Sequence, residues 1–205
     1  MNLSLDSLLL LVPAFVIAIS MHEASHALAA TLLGDPSPRL QGRLSLNPLR
    51  HLDPIGTLTL FLMGFGWGKP VIVNPHNFKI NPFAGMAITA FAGPLMNLLL
   101  AVLFALPFRL DMPLNSVMFD LAGAIASINL LLAVFNLIPL PPLDGFSVLM
   151  GILPRPLAMK IAPIAQYGPG VLLAMFALGY VFKLNIIGSI ITPPIRLLQP
   201  LIFGS

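Results

Sequence analysis

The sequence predicts an all-α integral membrane protein with about five to six transmembrane helices and a small re-entrant or β-hairpin element on the cytoplasmic side. Hydrophobic residues make up 58% of the 205 positions and charged residues only 8%, whereas a soluble domain has about 25% charged residues. Apolar segments recur along the whole length, so we expect one integral-membrane domain over residues 1–205. The net charge of +3 is modest, and we expect the lipid bilayer, not nucleic acid, as a partner.

Five apolar segments are long enough to cross a hydrocarbon core of about 30 Å, which takes roughly 20 helical residues. The pair Pro193-Pro194 lies inside the last of them. We therefore expect that helix to be kinked or only partly embedded, because proline removes a backbone donor. The predicted spans are residues 6–33, 84–106, 117–138, 161–182 and 185–203.

Two shorter elements lie between the first and second spans. Residues 53–68 are apolar but short and rich in glycine, which favours a re-entrant or interfacial segment over a full crossing. Residues 67–79, with the sequence WGKPVIVNPHNFK, have a Val-Ile-Val core bounded by proline and asparagine. This pattern predicts one or two short strands.

The basic residues predict the orientation of the chain. Most of them fall in the loops at 34–83 and 139–160. Because positive loops stay in the cytoplasm, we expect these two loops in the cytosol and the amino terminus outside, provided that residues 53–68 do not cross. The basic residues of the first loop are Arg39, Arg43, Arg50, Lys69 and Lys79.

A cluster of ionisable residues interrupts the first span. His22, Glu23 and His26 form the pattern H-E-x-x-H, and Glu23 is the only glutamate of the chain. Residues four apart share one helix face, so both imidazoles can reach one metal ion, while the glutamate can take a proton from a zinc-bound water. The alternative is a pair of histidines that only bond neighbouring helices. Three ionisable groups in lipid are costly, which favours the metal site.

A catalytic zinc site needs a third protein ligand, and the chain has no cysteine to supply one. Asp144 follows the third span on the predicted cytoplasmic side, after a proline-rich segment at 139–142 that can turn back into the membrane. The alternative is an ordinary turn aspartate, which Asp-Gly commonly is. His51, Asp53 and His76 also remain possible ligands.

These motifs resemble the site-2 protease family of intramembrane zinc metalloproteases. The resemblance rests on H-E-A-S-H at 22–26, G-P-L-M-N at 93–97 and N-L-I-P-L-P-P-L-D-G at 136–145. It extends to residues 42–58 and 66–75 and covers roughly residues 15–150. It is closest to the compact prokaryotic branch of the family, without a PDZ domain or a C-terminal regulatory domain.

The resemblance implies one Zn2+ per chain, held by His22, His26 and Asp144, with Glu23 as general base and acid. It implies a protease domain with its catalytic core at about 6–150 and additional helices at about 157–203. The implied activity is cleavage of transmembrane segments of single-span membrane proteins. The implied location is the prokaryotic cell membrane, with the active site open to the cytoplasm.

Polar groups near the predicted site suggest how substrate is held. Asn97 and Asn136 could donate amide hydrogens to the oxyanion or to substrate backbone, although an asparagine in a membrane helix often only bonds a neighbouring helix. The backbone of Val71, Ile72 and Val73 could pair with an unwound substrate strand by β-augmentation. The alternative for this segment is a hairpin that seals the cytoplasmic face.

Two other functions are compatible with buried histidines and aspartates. A zinc- or proton-conducting transporter would use them as a transit path, but it would be expected to have polar residues along several spans and an inverted repeat. A metal-stabilised interaction protein would not need Glu23. The sequence leaves the physiological substrate and the oligomeric state open.

Overall fold

The computed structural model of the chain describes residues 5–63 and 66–204. Within these ranges the regular structure is helical, with short 3-10 turns at Pro48–Arg50, Pro75–Asn77 and Ala162–Tyr167. The α-helices are α1 (Leu5–Leu32), α2 (Ser37–Leu40), α3 (Pro54–Met63), α4 (Pro82–Arg109), α5 (Ser116–Asn136), α6 (Asp144–Ile152), α7 (Arg155–Ile161), α8 (Gly168–Phe182) and α9 (Ile186–Phe203).

Helix α4 is the centre of the bundle. It packs against α1, α5, α6 and α9, and α1 also packs against α5. Small residues make this close packing possible, because they let helix backbones approach without a hydrophobic force between the helices. Most of the buried apolar residues are alanines, among them Ala14, Ala18, Ala90, Ala101, Ala105, Ala126 and Ala133.

Five helical segments of the described chain are long and apolar enough to cross a membrane: Ser7–Leu32, Pro82–Arg109, Ser116–Asn136, Arg155–Phe182 and Ile186–Phe203. Many large apolar side chains on these segments are exposed, as expected of helices that face lipid. The predicted all-α membrane fold is therefore confirmed. The fourth segment is not one straight helix, since it contains α7, a 3-10 turn and α8.

The predicted re-entrant segment contains α3, which has only 10 residues and is too short to qualify as a span. Residues 64 and 65 of this segment lie outside the described residues. The helix is compatible with an interfacial or re-entrant position, and that position stays a prediction.

The prediction of short strands at 67–79 is wrong, since the described part of this segment holds one isolated antiparallel bridge, between Leu52 and Gly68. Pro70 and Pro75 lack the N–H that a strand ladder needs. In addition, the side chain of Gln41 takes the place of a strand partner for the backbone of Ile72. Its N–H donates to Gln41 Oε1 at 3.2 Å, and its carbonyl accepts from Gln41 Nε2 at 2.7 Å.

Helix α9 runs through its prolines as one helix from Ile186 to Phe203. Pro193-Pro194 therefore does not end the helix, and the expected kink or partial embedding stays a prediction. A membrane helix tolerates proline where neighbouring groups bond the freed carbonyls.

Candidate metal centre

The first helix and the start of α6 bring three ligand atoms together. His22 Nε2 and His26 Nε2 are 3.0 Å apart, and they lie 3.1 Å and 3.3 Å from Asp144 Oδ2. Both histidines are buried, on one face of α1, as their spacing predicts. In the described part of the chain these residues form the one cluster whose ligand atoms could hold a metal ion.

The geometry of these atoms fits one tetrahedral zinc ion. With ligand bonds of about 2.0–2.2 Å, tetrahedral ligands lie roughly 3.3–3.6 Å apart, close to the separations of 3.0–3.3 Å seen here. Asp144 Oδ2 is buried and receives no hydrogen bond. A buried carboxylate oxygen without a donor is costly, so this atom needs a cation. Two imidazoles and one carboxylate are a donor set that zinc accepts.

Hydrogen bonds fix the rings of both histidines. His26 Nδ1 donates to the carbonyl of Thr89 at 2.7 Å, because a carbonyl can only accept. His22 Nδ1 donates to Asn97 Oδ1 at 2.6 Å. In the neutral imidazoles each Nε2 therefore keeps its lone pair, and it faces the common centre, which is how neighbouring groups orient metal-binding histidines.

Asn97 is fully committed to the protein. Its amide nitrogen donates to the carbonyl of Ala18 at 3.1 Å and to Asn129 Oδ1 at 2.8 Å, so its oxygen must be the atom that faces His22. Asn129, also fully buried, donates in turn to the carbonyl of Ile125 at 2.9 Å. Sequence reasoning missed Asn129, although an asparagine in an apolar span is a recognisable signal.

Two glycines allow this close packing. A Cβ on Gly93 would lie 2.4 Å from His26 Nε2 and 2.6 Å from His22 Cε1, so the imidazoles rest directly on the backbone of α4. A Cβ on Gly145 would lie 2.3 Å from the carbonyl oxygen of Leu137. The beginning of α6 therefore packs against the end of α5, and this contact places Asp144 at the centre.

Glu23 lies beside the ligand cluster, on the same helix. Its side chain is buried, and a Cβ on Gly68 would lie 3.2 Å from Glu23 Oε1 and 3.1 Å from the carbonyl oxygen of His51. The segment that begins at Gly68 thus passes directly over the glutamate. A Cβ at this position would also lie 2.8 Å from Ile19 Cγ1, so a larger residue would require these neighbours to shift.

Buried polar residues hold that segment in place. Arg43 donates to the carbonyl of Arg50 and, at 3.0 Å, to the carbonyl of Pro70. Lys69 N–H donates to the carbonyl of His51 at 2.7 Å. His51 Nε2 donates to the carbonyl of Ser45 at 2.6 Å. The region resembling the family at 42–58 therefore supports the segment over Glu23.

The other candidate ligands are not brought to the centre. His51 serves the segment just described, and Asp53 Oδ1 accepts from Gly56 N–H at 2.8 Å at the start of α3. His76 lies exposed in the 3-10 turn Pro75–Asn77. Of the aspartates and histidines that the described residues include, only Asp144 joins His22 and His26.

The carboxylate of Asp35 is built into a separate, fully bonded site. Oδ1 accepts from Ser37 N–H, Ser37 Oγ and Asn77 Nδ2 at 2.7–3.1 Å, and Oδ2 accepts from Asn74 N–H at 2.7 Å. Burial alone would raise the pKa of this carboxyl. The hydrogen-bond donors, Asn77 first, lower the pKa by more than burial raises it, so the pKa lies below its ordinary value. Asp35 ties the end of α1 to residues 74–77.

Two predicted substrate-binding groups make no described contact with the ligand atoms. Asn136 Nδ2 donates to the carbonyl of Leu132 at 3.0 Å, and Asn136 immediately precedes Leu137, which contacts Gly145. Of Val71, Ile72 and Val73, only Ile72 has its backbone bonded, to Gln41. Among the described contacts, none engages the backbone of Val71 or Val73.

Comparisons with known proteins agree on one family. Residues 111–176 match Peptidase family M50. YwhC of Bacillus subtilis (strain 168), named as a candidate zinc metalloprotease, is 36% identical over 177 residues, which cover 81% of this chain and 79% of YwhC. Rip2 of Mycobacterium tuberculosis, also named as a candidate zinc metalloprotease, is 30% identical over 172 residues, covering 82% of this chain and 66% of Rip2. No solved structure gives a significant match.

Proposed function

Since this chain belongs to peptidase family M50, the site-2 protease family, and is a metalloprotease of the membrane, we propose that it cleaves transmembrane segments of single-span membrane proteins. The observation that carries this proposal is the meeting of His22 Nε2, His26 Nε2 and the donor-less Asp144 Oδ2, next to the buried Glu23. His22, Glu23 and His26 lie on a helix that is long and apolar enough to cross the bilayer. A substrate that reaches it must itself be able to enter the membrane.

His22, His26 and Asp144 would hold one zinc ion. Bound zinc supplies a Lewis acid that polarises the scissile carbonyl and makes water acidic enough to react at neutral pH. The chain's own contribution is orientation. The bonds to Thr89 and Asn97 keep both imidazoles in the tautomer that offers Nε2.

Glu23 would move the proton. Its carboxylate, one residue from His22, takes a proton from the attacking water and then delivers it to the amine of the leaving peptide. Burial beside Gly68 excludes bulk water from the carboxylate, so the proton passes between the reacting groups and not to solvent.

Asn97 and Asn136 would have different roles, one in orienting a metal ligand and the other in binding substrate. Both amide hydrogens of Asn97 donate within the protein, which supports a role in orienting His22. Asn136 uses one amide hydrogen on Leu132 and keeps the other. This favours Asn136 as the donor to the oxyanion or to substrate backbone.

The segment 68–73 would present the substrate. A transmembrane helix must unwind before its peptide bonds can be attacked, and an extended substrate needs a backbone partner. The unbonded backbone groups of Val71 and Val73, in the segment that passes over Glu23, can serve as that partner even though no regular strand forms.

The site would open to the cytoplasm. Residues 34–81, which precede α4, carry Arg43 and Lys69 beside the segment that covers Glu23. Positive loops are retained on the cytoplasmic side of prokaryotic cell membranes. This side would supply the water that hydrolysis consumes.

Replacement of Glu23 by glutamine tests the proposal. We expect Glu23→Gln to keep the zinc content of the wild type and to lose at least about 100-fold in cleavage, because general base and acid catalysis is removed. Zinc is measured in the purified protein, and cleavage is measured by mass spectrometry on a panel of single-span segments reconstituted in vesicles.

Ser25→Ala is the matched control, since Ser25 is two residues away on α1 and bonds only the carbonyl of Met21. Full cleavage by Glu23→Gln would remove Glu23 from the reaction. Zinc flux across the vesicles, with no cleavage by the wild type, would favour the transporter in place of the protease.

A further inference from the structure

Helix α9 carries a polar stripe along its length. Its members, spaced four, three, four and three residues apart, are Asn185, Ser189, Thr192, Arg196 and Gln199. At about 100° per residue this spacing places all of them within an arc of roughly 80° on one side of the helix. A polar stripe of this kind is unusual on a helix that is long and apolar enough to cross a membrane.

The stripe is not the face that packs against the bundle. Ile191, Ile195, Leu198 and Ile202 of α9 pack on the core formed by α4 and α5, and this face is about 110° away from the stripe on the helix. The end of α9 is also fixed, because Arg109 donates to the carbonyl of Leu201 at 2.6 Å. The orientation of α9 therefore leaves the stripe outside the core.

All members of the stripe except Gln199 line an open groove of about 570 Å³. Its lining residues are Asn185, Gly188, Ser189, Thr192, Pro193 and Arg196. Pro193 and Pro200 remove the N–H groups that would normally bond the carbonyls of Ser189 and Arg196. Ser189 Oγ already donates to the carbonyl of Asn185 at 2.7 Å, so the groove combines the donors of Thr192 and Arg196 with backbone carbonyls whose usual helical donors are missing.

Arg196 is the costly member of the stripe. It lies near the middle of α9, it is exposed, and no described residue forms an ion pair or hydrogen bond with it. Near the middle of a helix that crosses a membrane, a guanidinium is strongly unfavourable unless it has a partner. The basic residue at the end of α4, Arg109, already has one within the chain.

We propose that this groove docks the transmembrane helix of a partner protein that places an aspartate or glutamate against Arg196. A carboxylate is the complement of guanidinium and pairs with it in two parallel hydrogen bonds. Small or polar residues of the same partner helix would lie against Ser189 and Thr192, as is usual where membrane helices meet. This docking surface does not depend on the proposed protease reaction.

A second copy of this chain is a poor occupant. Two copies related by a two-fold axis through the groove would bring Arg196 against Arg196, and like charges in lipid repel. A lipid headgroup is also a poor occupant, because Arg196 lies well inside α9 and not at its end. The charge of the groove therefore selects an acidic helix.

Synthetic transmembrane helices test the proposal. The probes are leucine-alanine peptides with a single central Asp, and matched peptides with Leu or Lys at that position. The full chain has no cysteine, so one added cysteine takes a single donor dye, and energy transfer to labelled peptides in phosphatidylcholine vesicles reports association. We expect the Asp peptide to associate at least tenfold more tightly than the Leu peptide.

Variants of Arg196 test whether this residue causes the preference for the Asp peptide. Arg196→Leu should remove the preference for Asp, and Arg196→Glu should replace it with a preference for Lys. Lys183→Leu is the matched control, since Lys183 is an exposed basic residue just before α9, and it should keep the wild-type preference.

Equal association of the Asp and Leu peptides with the wild type would overturn the proposal. So would self-association of the wild type that Arg196→Leu abolishes, which would identify a second copy as the occupant. An Arg196 effect seen only in vesicles with anionic lipids would identify a headgroup and would overturn it as well.

Discussion

Asp35 and Asp144 both have buried carboxylate oxygens, and the two carboxylates differ in what surrounds them. Asp35 receives hydrogen bonds on both oxygens from Ser37, Asn74 and Asn77. Asp144 turns Oδ2 toward two imidazole nitrogens and receives no hydrogen bond there. The chain therefore supplies hydrogen-bond donors to both oxygens of Asp35 and none to Oδ2 of Asp144.

This difference indicates a structural role for Asp35 and a metal-binding role for Asp144. Buried polar atoms are nearly always bonded, so an exception needs an explanation. At Asp144 the facing His22 and His26 have their Nδ1 atoms bonded elsewhere, so with neutral imidazoles three lone-pair atoms meet with no hydrogen between them. That arrangement is stable only around a cation, whereas Asp35 is already stable in the folded loop.

Removal of each charge in turn gives the largest contrast. We expect Asp144→Asn to lower zinc affinity by more than about 100-fold, since the loss of a direct ligand should exceed the roughly 10- to 100-fold cost of losing an orienting group. Asp35→Asn should leave zinc affinity unchanged. Zinc per chain, measured after competition with a chelator, compares the two variants with the wild type.

Wild-type zinc affinity in Asp144→Asn would remove Asp144 from the ligand set. Loss of zinc in both variants, with both proteins folded, would show that the two carboxylates are not the separate kinds of site described above.

A glycine substitution tests the metal site through the helix against which the two histidines pack. Gly93→Ala would place a methyl group 2.4 Å from His26 Nε2, so an imidazole or α4 must shift. We expect zinc affinity to fall by roughly 10- to 100-fold, the range seen when the orientation of a ligand is lost.

Gly170→Ala is the matched control, because a Cβ there meets nothing within 4 Å. It should retain wild-type zinc binding. Wild-type affinity in Gly93→Ala would mean that the imidazoles do not rest on the backbone of α4.

The sequence was sufficient to predict the helical membrane fold and to place His22 and His26 on one face, because both follow from local patterns of composition and spacing. Local patterns alone left Asp144 open against His51, Asp53 and His76, since each of them also suits a solvated loop, and it was the family resemblance that favoured Asp144. Only tertiary contacts, such as Gly145 against Leu137, decide which carboxylate reaches the histidines.

The failure at residues 67–79 has a different cause. The apolar run Val71–Val73 fits a strand, but strand pairing depends on a distant partner, and here Gln41 takes that place with its side chain. Asn97 was ambiguous for a similar reason. An asparagine that orients His22 and an asparagine that binds an oxyanion cannot be told apart in the sequence, because only their hydrogen-bond partners differ.

The smallest effect concerns the stability of the completed carboxylate. Asp35→Asn should lower the free energy of unfolding at pH 7 by about 1–3 kcal/mol, because one of its two acceptor oxygens is replaced by a donor that faces donors. Thermal unfolding in detergent measures the change. Asp53→Asn is the control, since Asp53 makes one bond at a helix start, where asparagine caps as well as aspartate.

The pH dependence of this difference identifies its origin. The pKa of Asp35 is lower in the folded protein than its ordinary value, so its stabilisation is complete above the unfolded pKa of about 3.9 and is lost as the pH falls through the lower folded pKa. The gap in stability between wild type and Asp35→Asn should therefore be constant from pH 7 to about 5 and narrow below about pH 4. A gap that stays constant into acid would show that packing, and not the charged carboxylate, holds residues 74–77 against the end of α1.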